Sequence, residues 1–503
     1  MDAPTYAELT ELVGALGRQL SALNKKFSQV EEKVLALEET NRALTVEVVA
    51  LRAQNTTLRA RVVELEAQVG TNSKNSSTPP SADGMGKPAP KSLRTASGRK
   101  PGGQGGHRGT TLTQVADPDV VVRHEPPACT GCGADLGQAP QAGTTRRQVF
   151  DLPPIELTVT EHQLISRRCG CGRITRGKAP DLVGAPVQYG PVASAIMVYL
   201  FHGQFLSRGR TADALSELFN APVSAATVAA VTTRAAARLG PFLQVVTAQL
   251  AGAPVLHVDE TGLRCQGHLA WLHSASTDAF TLLYAHPNRG RVAMDAMGVL
   301  PDFTGTLVHD AFAPYDNYTG ATHSLCGAHL LRELVAVRDH HEAGRCHHGG
   351  SPRWCWAEQV TDALLALSAA TTAAAGATHL SAEVLRTQTE LIRHGALIGQ
   401  HTDPVTKVDQ KHRALARRIL KRADDYLRFA TDPAIPFTNN AAERTIRMAK
   451  IRVKVSGCMR TMTGAKEFAA IRSYTATATK HGLTTLDALT HLTSGNTWLP
   501  ATT

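Results

Sequence analysis

The sequence predicts a multidomain α/β protein: an N-terminal parallel coiled coil, a small zinc-binding β unit, a helical segment, and an α/β catalytic core interrupted by a helical insertion. Three observations carry this prediction. A heptad repeat runs unbroken from Leu9 to Val69. Two cysteine pairs, Cys129/Cys132 and Cys169/Cys171, close a stretch of β-like sequence. Two short hydrophobic runs end in acids at Asp259 and Asp310, and a third acid, Glu443, follows on helical sequence.

The chain has 503 residues, enough for several domains, and 43% of them are apolar, enough for proper cores. A formal net charge of +10 and a pI near 9.2 point to a polyanionic partner. The start, Met1-Asp2-Ala3-Pro4, lacks the basic-then-apolar layout of a signal peptide. The longest apolar run, around Val192 to Phe201, is too short to span a bilayer. Nine cysteines without an export signal suggest a reducing cytosol, where cysteine pairs bind metal rather than form disulfides. The expectation is a cytoplasmic, nucleoid-associated protein with no membrane partner.

The heptad series places Leu9, Leu16, Leu23, Val30, Leu37, Leu44, Leu51, Leu58 and Leu65 at one core position. Val13, Leu20, Phe27, Val34, Asn41, Val48, Asn55, Val62 and Val69 fall four residues later in each heptad. Leucine at d, mostly valine at a, and asparagine at two a positions are the pattern of a parallel two-stranded coiled coil. Lys26 with Glu31, Lys33 with Glu38, Glu47 with Arg52 and Arg61 with Glu66 stand in the charge relation that pairs two such helices. Residues 1–70 are therefore expected to form a homodimer rod, roughly 90 Å long.

Residues 71–118 read as a basic linker. From Thr71 to Thr110 seven Lys or Arg face one acid, Asp83, among Ser, Pro and Gly that cannot build a core. Arg99 and Lys100 lie in this arm, which is either a solvated tether or a contact to DNA phosphates. Residues 119–180 form the cysteine unit, with β-like segments at Gln148-Val149-Phe150 and Leu157-Thr158-Val159. Cys129, Cys132, Cys169 and Cys171 suit one structural Zn²⁺, with His124 or His162 as an alternative for one ligand. Residues 181–250 are helical. Two helices in Thr211 to Ala236 are joined at Asn220-Ala221-Pro222-Val223, the second capped by Ser224, in a helix-turn-helix-like arrangement.

The core is expected in two parts, 251–345 and 431–503, around a helical insertion at 346–430. Val255, Leu256 and Val258 sit between Pro254 and a turn at Gly262, so they read as a short buried strand that ends at Asp259. Strands follow at His268–Ser274 and Phe280–His286, then a helix near Arg291–Met297 and the strand Thr306–Asp310. A strand-like Thr322–Cys326 and a helix from Gly327 to about His340 complete the series. Such a series is expected of a ribonuclease-H-like core, in which the first and fourth strands are neighbours and would unite Asp259 with Asp310.

Acids from separate elements can hold two Mg²⁺ (or Mn²⁺) ions about 4 Å apart for phosphoryl transfer. Asp259, Asp310 and Glu443 are thus the expected catalytic and metal-binding set, with Cys326 and His329 as supporting residues. After Glu443, the residues Arg444, Arg447, Lys450, Arg452 and Lys454 form a basic helix expected to bind DNA. Cys346, His347, His348 and Cys355 are a weaker second candidate for metal.

Several motifs now stand together: Asp259-Glu260-Thr261, His309-Asp310-Ala311-Phe312-Ala313-Pro314-Tyr315, Cys326-Gly327-Ala328-His329 and Asn439-Asn440-Ala441-Ala442-Glu443-Arg444. With the zipper, the linker motifs at Asn75–Ser81 and Gly102–His107 and the cysteine unit, nearly the whole chain resembles the transposases of insertion sequence 66 type. Thr438 stands where the family often has an acid. The resemblance implies an Asp-Asp-Glu transposase that cuts and joins the ends of a mobile element. It also implies DNA partners, namely terminal inverted repeats and target DNA, and leaves open helper proteins encoded by the element. The rival expectations are a ribonuclease-H-like nuclease without strand transfer and a dimeric DNA-binding regulator with an inactive core.

Overall fold

The computed structural model describes residues 5–70, 112–152, 155–342, 354–374, 380–404 and 406–501. The linker segment 71–111, with Arg99 and Lys100, lies outside the described residues, as do Cys346, His347 and His348. The chain forms two compact units. The first gathers the described residues of 1–87, 329–370 and 381–423, and the second those of 88–328, 371–380 and 424–503. Among the described residues no helix is long and apolar enough to cross a membrane.

In the first unit, α1 (Tyr6–Gly70) is a single helix of 65 residues. Leu9, Leu16, Leu23, Leu37, Leu44, Leu51, Leu58 and Leu65 are all exposed along it. A helix with its leucine seam open to water is unstable alone, since most helical stability comes from packing an apolar face. The unit continues with the C-terminal part of α7 (Gly327–Glu342), then α8 (Trp356–Ala373), α9 (Ala382–His401) and α10 (Lys407–Lys421). Trp356 is buried, and a Cβ at Gly399 would meet its ring at 2.6 Å, so this glycine lets α9 close on the indole. Among the described residues, the stretch 346–430 holds α8, α9, α10 and most of α11 (Ala423–Thr431), and α11 belongs, from Asp424 on, to the second unit.

The second unit is built on a five-stranded sheet. Its strands are β3 (Val255–Cys265), β4 (His268–Ser276), β5 (Thr281–His286), β6 (Thr306–His309) and β7 (Thr322–Leu325), in the order β5-β4-β3-β6-β7. The first three are antiparallel, and β6 and β7 join parallel. Val255, Leu256 and His257 of β3 pair with Thr306, Leu307 and Val308 of β6, the neighbourhood expected of the first and fourth strands. One expectation needs correcting. The chain does not turn at Gly262 but continues to Cys265, with Gly262 opposite Trp271. The turn comes at Gln266 and Gly267, both with positive φ, which the two-residue hairpin twist requires.

Helices pack on the sheet and on one another. They are α2 (Pro191–Val198), α3 (Arg208–Phe219), α4 (Ala225–Ala237), α5 (Gly240–Ala251), α6 (Arg291–Ala296), α12 (Asn440–Ser456), α13 (Met462–Lys480) and α14 (Thr485–Thr493). Of these, α5, α12 and α13 lie against its strands. The α3–α4 turn matches expectation: Asn220 adopts the left-handed conformation and the Ser224 hydroxyl caps α4 by accepting the Thr227 N–H. A π-helical turn at Tyr199–Gly203, which periodicity did not show, leads out of α2. Leu250, Leu256, Leu307, Tyr474 and Leu492 share one buried core. The edge strand β5 is guarded by α13. Thr477 and Ser473 accept the N–H groups of Thr281 and Leu283 at 3.0 and 2.8 Å, so that edge offers little for another strand.

The cysteine unit also differs in detail. Residues 148–150 and 157–159 belong to no strand. The pairing instead forms β1 (Ser166–Arg168) and β2 (Ile174–Arg176), a hairpin around Cys169 and Cys171. Hairpin pairing across a tight turn is local, so it outcompetes the two more distant segments.

Candidate active site

Asp259 lies where the parallel pairing of β3 with β6 stops, and Asp310 is the first residue after β6. Both therefore stand at the carboxyl edge of the parallel strands, where open α/β sheets hold their ligands. Ala311 follows with φ of 70°, a left-handed conformation unusual for a residue with a side chain. That turn is fixed locally. Phe312 donates its N–H to Asp310 Oδ1 at 3.0 Å, and Ala311 donates its N–H to His309 Nδ1 at 3.2 Å. Since His309 Nδ1 accepts, its Nε2 carries the proton and faces His323 Nδ1 at 3.1 Å.

Glu443 comes to the same edge from the first turn of α12. Burial pushes the Asp259 carboxyl well above the usual range, and the charges of Glu260, Asp310 and Glu443 push it further. The three expected acids are therefore within electrostatic reach of one another. Glu260, part of the Asp259-Glu260-Thr261 motif but not among the expected site residues, is buried and raised to about 7 by desolvation and by Asp310. Tyr315 donates its hydroxyl to Glu260 Oε2 at 2.6 Å, and Arg289 forms an ion pair with Oε1 at 2.9 Å. The Arg289 guanidinium is itself held over the Phe312 ring at 3.8 Å and the Trp271 ring at 4.8 Å. Nothing in the local sequence marks Arg289; only the pairing of β4 with β5 brings its loop to Glu260.

Asn439, just before α12, is almost fully buried. Its side-chain amide donates to the Val258 carbonyl at 2.7 Å, and its Oδ1 accepts from His257 Nδ1 at 2.9 Å. Its own N–H is 3.2 Å from Cys326 Sγ, so Cys326 steadies the start of the helix that carries Glu443. Gly327 donates its N–H to the Phe437 carbonyl at 2.9 Å, and a Cβ there would collide with the Phe437 ring. His329, one turn further along α7, is held neutral by burial, its pKa lowered to about 3.

The basic ridge of α12 is divided. Arg444, Arg447 and Lys454 are exposed and Lys450 is half-buried. Arg452 turns inward, over the rings of Phe468 at 5.4 Å and Phe201 at 6.0 Å, and burial lowers its pKa to about 10. The expected phosphate contact therefore does not apply to Arg452 in this conformation. The reason is its position beside the Phe201 and Phe468 rings, which helical spacing alone does not reveal.

In the cysteine unit, Cys129 and Cys169 each head a tight turn. Gly133 and Gly172 return their N–H groups to the Cys129 and Cys169 carbonyls at 2.8 Å, and both glycines have positive φ. Backbone N–H groups directed at the sulfurs, and the partner thiol in each pair, lower the Cys129 and Cys169 pKa values. Two turns that favour thiolate suit a tetrahedral metal. The four sulfurs are not, among the described residues, gathered within 4.8 Å of one another.

The fold and the acid cluster define an α/β protein whose carboxylates converge at one sheet edge, an arrangement suited to divalent cations. Residues 186–467 match the transposase IS66 family, more than half of the chain, and the chain belongs to that family. Residues 126–172 match the zinc-finger binding domain of transposase IS66, which contains all four paired cysteines. Residues 29–113 match a family of unknown function. No curated protein sequence matches the chain.

Proposed function

We propose that this transposase cuts and joins DNA ends by metal-dependent phosphoryl transfer, with Asp259, Asp310 and Glu443 as its catalytic carboxylates. The observation that carries this reading is the convergence of the three acids. They arise on β3, after β6 and on α12, yet Asp259 feels the charges of both others. Like charges crowded in a half-buried edge are costly unless a cation is present. Two Mg²⁺ or Mn²⁺ ions, when bound, would supply an activated water or hydroxyl and stabilise the leaving oxygen. The sheet order supports a ribonuclease-H-like core, with three antiparallel strands followed by two parallel ones.

The chain's own residues then divide the work. Asn439 fixes the head of α12, which carries Glu443, against the strand residue before Asp259. Arg289 and Tyr315 hold Glu260, whose charge is the largest charge-based contribution to the Asp259 shift. Arg444, Arg447, Lys450 and Lys454 neutralise DNA phosphates beside the site. Zn²⁺ held by Cys129, Cys132, Cys169 and Cys171 would fold the small unit that precedes the helices. The exposed seam of α1 pairs with a second chain as a parallel dimer.

The test is a gel-shift titration beside a Mg²⁺-dependent cleavage and strand-transfer assay on the element's end. Asp259→Asn, Asp310→Asn and Glu443→Gln should each abolish cleavage and joining and leave end binding intact or slightly tighter. Wild-type cleavage by Glu443→Gln would remove Glu443 from the catalytic set. Cleavage without joined products would indicate a nuclease.

A further inference from the structure

We propose a second transition-metal site, in the helical insertion, formed by His340, Asp409 and His412. His340 lies in the last turn of α7, and Asp409 and His412 face the same way from the first turns of α10, three residues apart. All three side chains are buried, and each offers a ligand atom such that the three atoms lie within 4.8 Å of one another. Two imidazoles and one carboxylate are a donor set that zinc and other divalent transition metals accept, usually with a fourth position for water.

The geometry around the cluster leaves room for an ion among the three side chains. His340 Nδ1 and Asp409 Oδ1 are 3.9 Å apart. That is beyond hydrogen-bonding reach and wider than the roughly 3.3 Å that separates two ligands on a tetrahedral ion with bonds of about 2.0 Å, a gap that small side-chain rotations around a bound ion would close. The rings of His340 and His412 meet edge to face with centroids at 5.1 Å, so they do not stack, and each still offers a nitrogen within 4.8 Å of the other ligand atoms. The carboxylate is also pre-oriented. Asp409 Oδ2 accepts from the Thr406 N–H and hydroxyl, both at 2.9 Å, in a capping box, and this sets the direction of Oδ1. A ligand held by such an outer hydrogen bond is the usual support of a metal site. The ion would tie α7 to α10 across more than sixty residues of intervening chain, a closure whose benefit grows with loop length. The acid cluster and the cysteine unit take no part in it.

The experiment is elemental analysis of the full-length protein, purified with excess Mg²⁺ and dialysed against metal-free buffer, with circular dichroism of each variant. The wild type should hold two Zn²⁺ per chain. His412→Ala and His340→Gln should each hold one, and Cys129→Ser should lose the other. Because a variant can lose metal simply by misfolding, Co²⁺ substitution of the wild type supplies an independent reading. The Co²⁺ spectrum should contain a thiolate charge-transfer band and a separate d–d component from a site without sulfur. His412→Ala should remove only the second component. A wild type with one Zn²⁺ per chain and only the thiolate spectrum overturns the proposal, as does a folded His412→Ala protein that keeps two.

Discussion

The side-chain amide of Asn439 donates to the backbone carbonyl of Val258 at 2.7 Å, which fastens the head of α12 to the strand residue before Asp259. The same side chain accepts from His257, and its N–H reaches Cys326 Sγ, so one asparagine joins three elements of the site. Asn439→Ala leaves the Val258 carbonyl and His257 Nδ1 buried with a lost partner, at a cost of about 1–3 kcal/mol. The freed helix end should misplace Glu443. Cleavage should fall roughly 10–100-fold, the Mg²⁺ concentration for half-maximal rate should rise, and end binding should hold. An unchanged Mg²⁺ requirement would confine Asn439 to a purely structural part.

The acid cluster predicts a pH dependence in the metal-free protein. Glu260 is raised to about 7 by burial first and by Asp310 second. A carboxyl raised in the folded state keeps its proton longer when folded than when unfolded. The stability it contributes is therefore full below the unfolded value, about 4.3, and is lost as pH rises through about 7. Buried histidines act in the opposite sense. His202, lowered to about 3 by burial and by Arg452, Arg472 and Arg208, costs stability as pH falls below about 6.5. The comparison must therefore be between variants. With EDTA present, wild type should lose stability relative to Glu260→Gln between pH 4.5 and 7.5, by a few kcal/mol. Urea unfolding at both pH values measures it, and parallel curves for the two proteins would contradict the assignment.

The exposed leucines of α1 predict assembly. Replacing Leu37 and Leu44 with Pro in the full chain breaks the helix and opens the seam, each proline costing about 3 kcal/mol or more. Light scattering should then report monomers where the wild type gives dimers. A monomeric wild type would remove the coiled coil.

Local pattern made much of this visible. The strand around Val258, the parallel strand before Asp310 and the Ser224-capped helix follow from β-branched runs, an alternating order of elements and one capping residue. Asp259 and Asp310 were legible because each ends a short apolar run, although β3 in fact runs on past Asp259 to Cys265, and the cysteine unit because of its spacing. What failed to show depends on contacts distant in sequence. Gly262 reads as a turn, yet β4 pairs across it. Arg289 lies in an ordinary loop, and only the hairpin carries it to Glu260. The His340 cluster needs α10 folded back on α7, and no local spacing between His340 and Asp409 could announce that.

Arg447 and Arg452 stand on the same helix and give opposite predictions. Helical spacing makes both members of a basic ridge, but Arg447 is exposed and Arg452 is buried over Phe468 and Phe201. An exposed guanidinium that neutralises one phosphate releases about one counterion on binding, so its loss flattens the salt dependence. Arg447→Ala should weaken end binding at all sequences and lower the slope of log K against log salt by about 1, with the fold intact. Arg452→Ala removes ring contacts and a buried stem, a packing loss of about 1–3 kcal/mol. It should lower the melting temperature and leave the salt slope of the folded protein unchanged. Gel-shift titrations at several salt concentrations, beside thermal melts, separate the two. A reduced slope for Arg452→Ala without loss of stability would mean that this side chain swings outward to meet DNA.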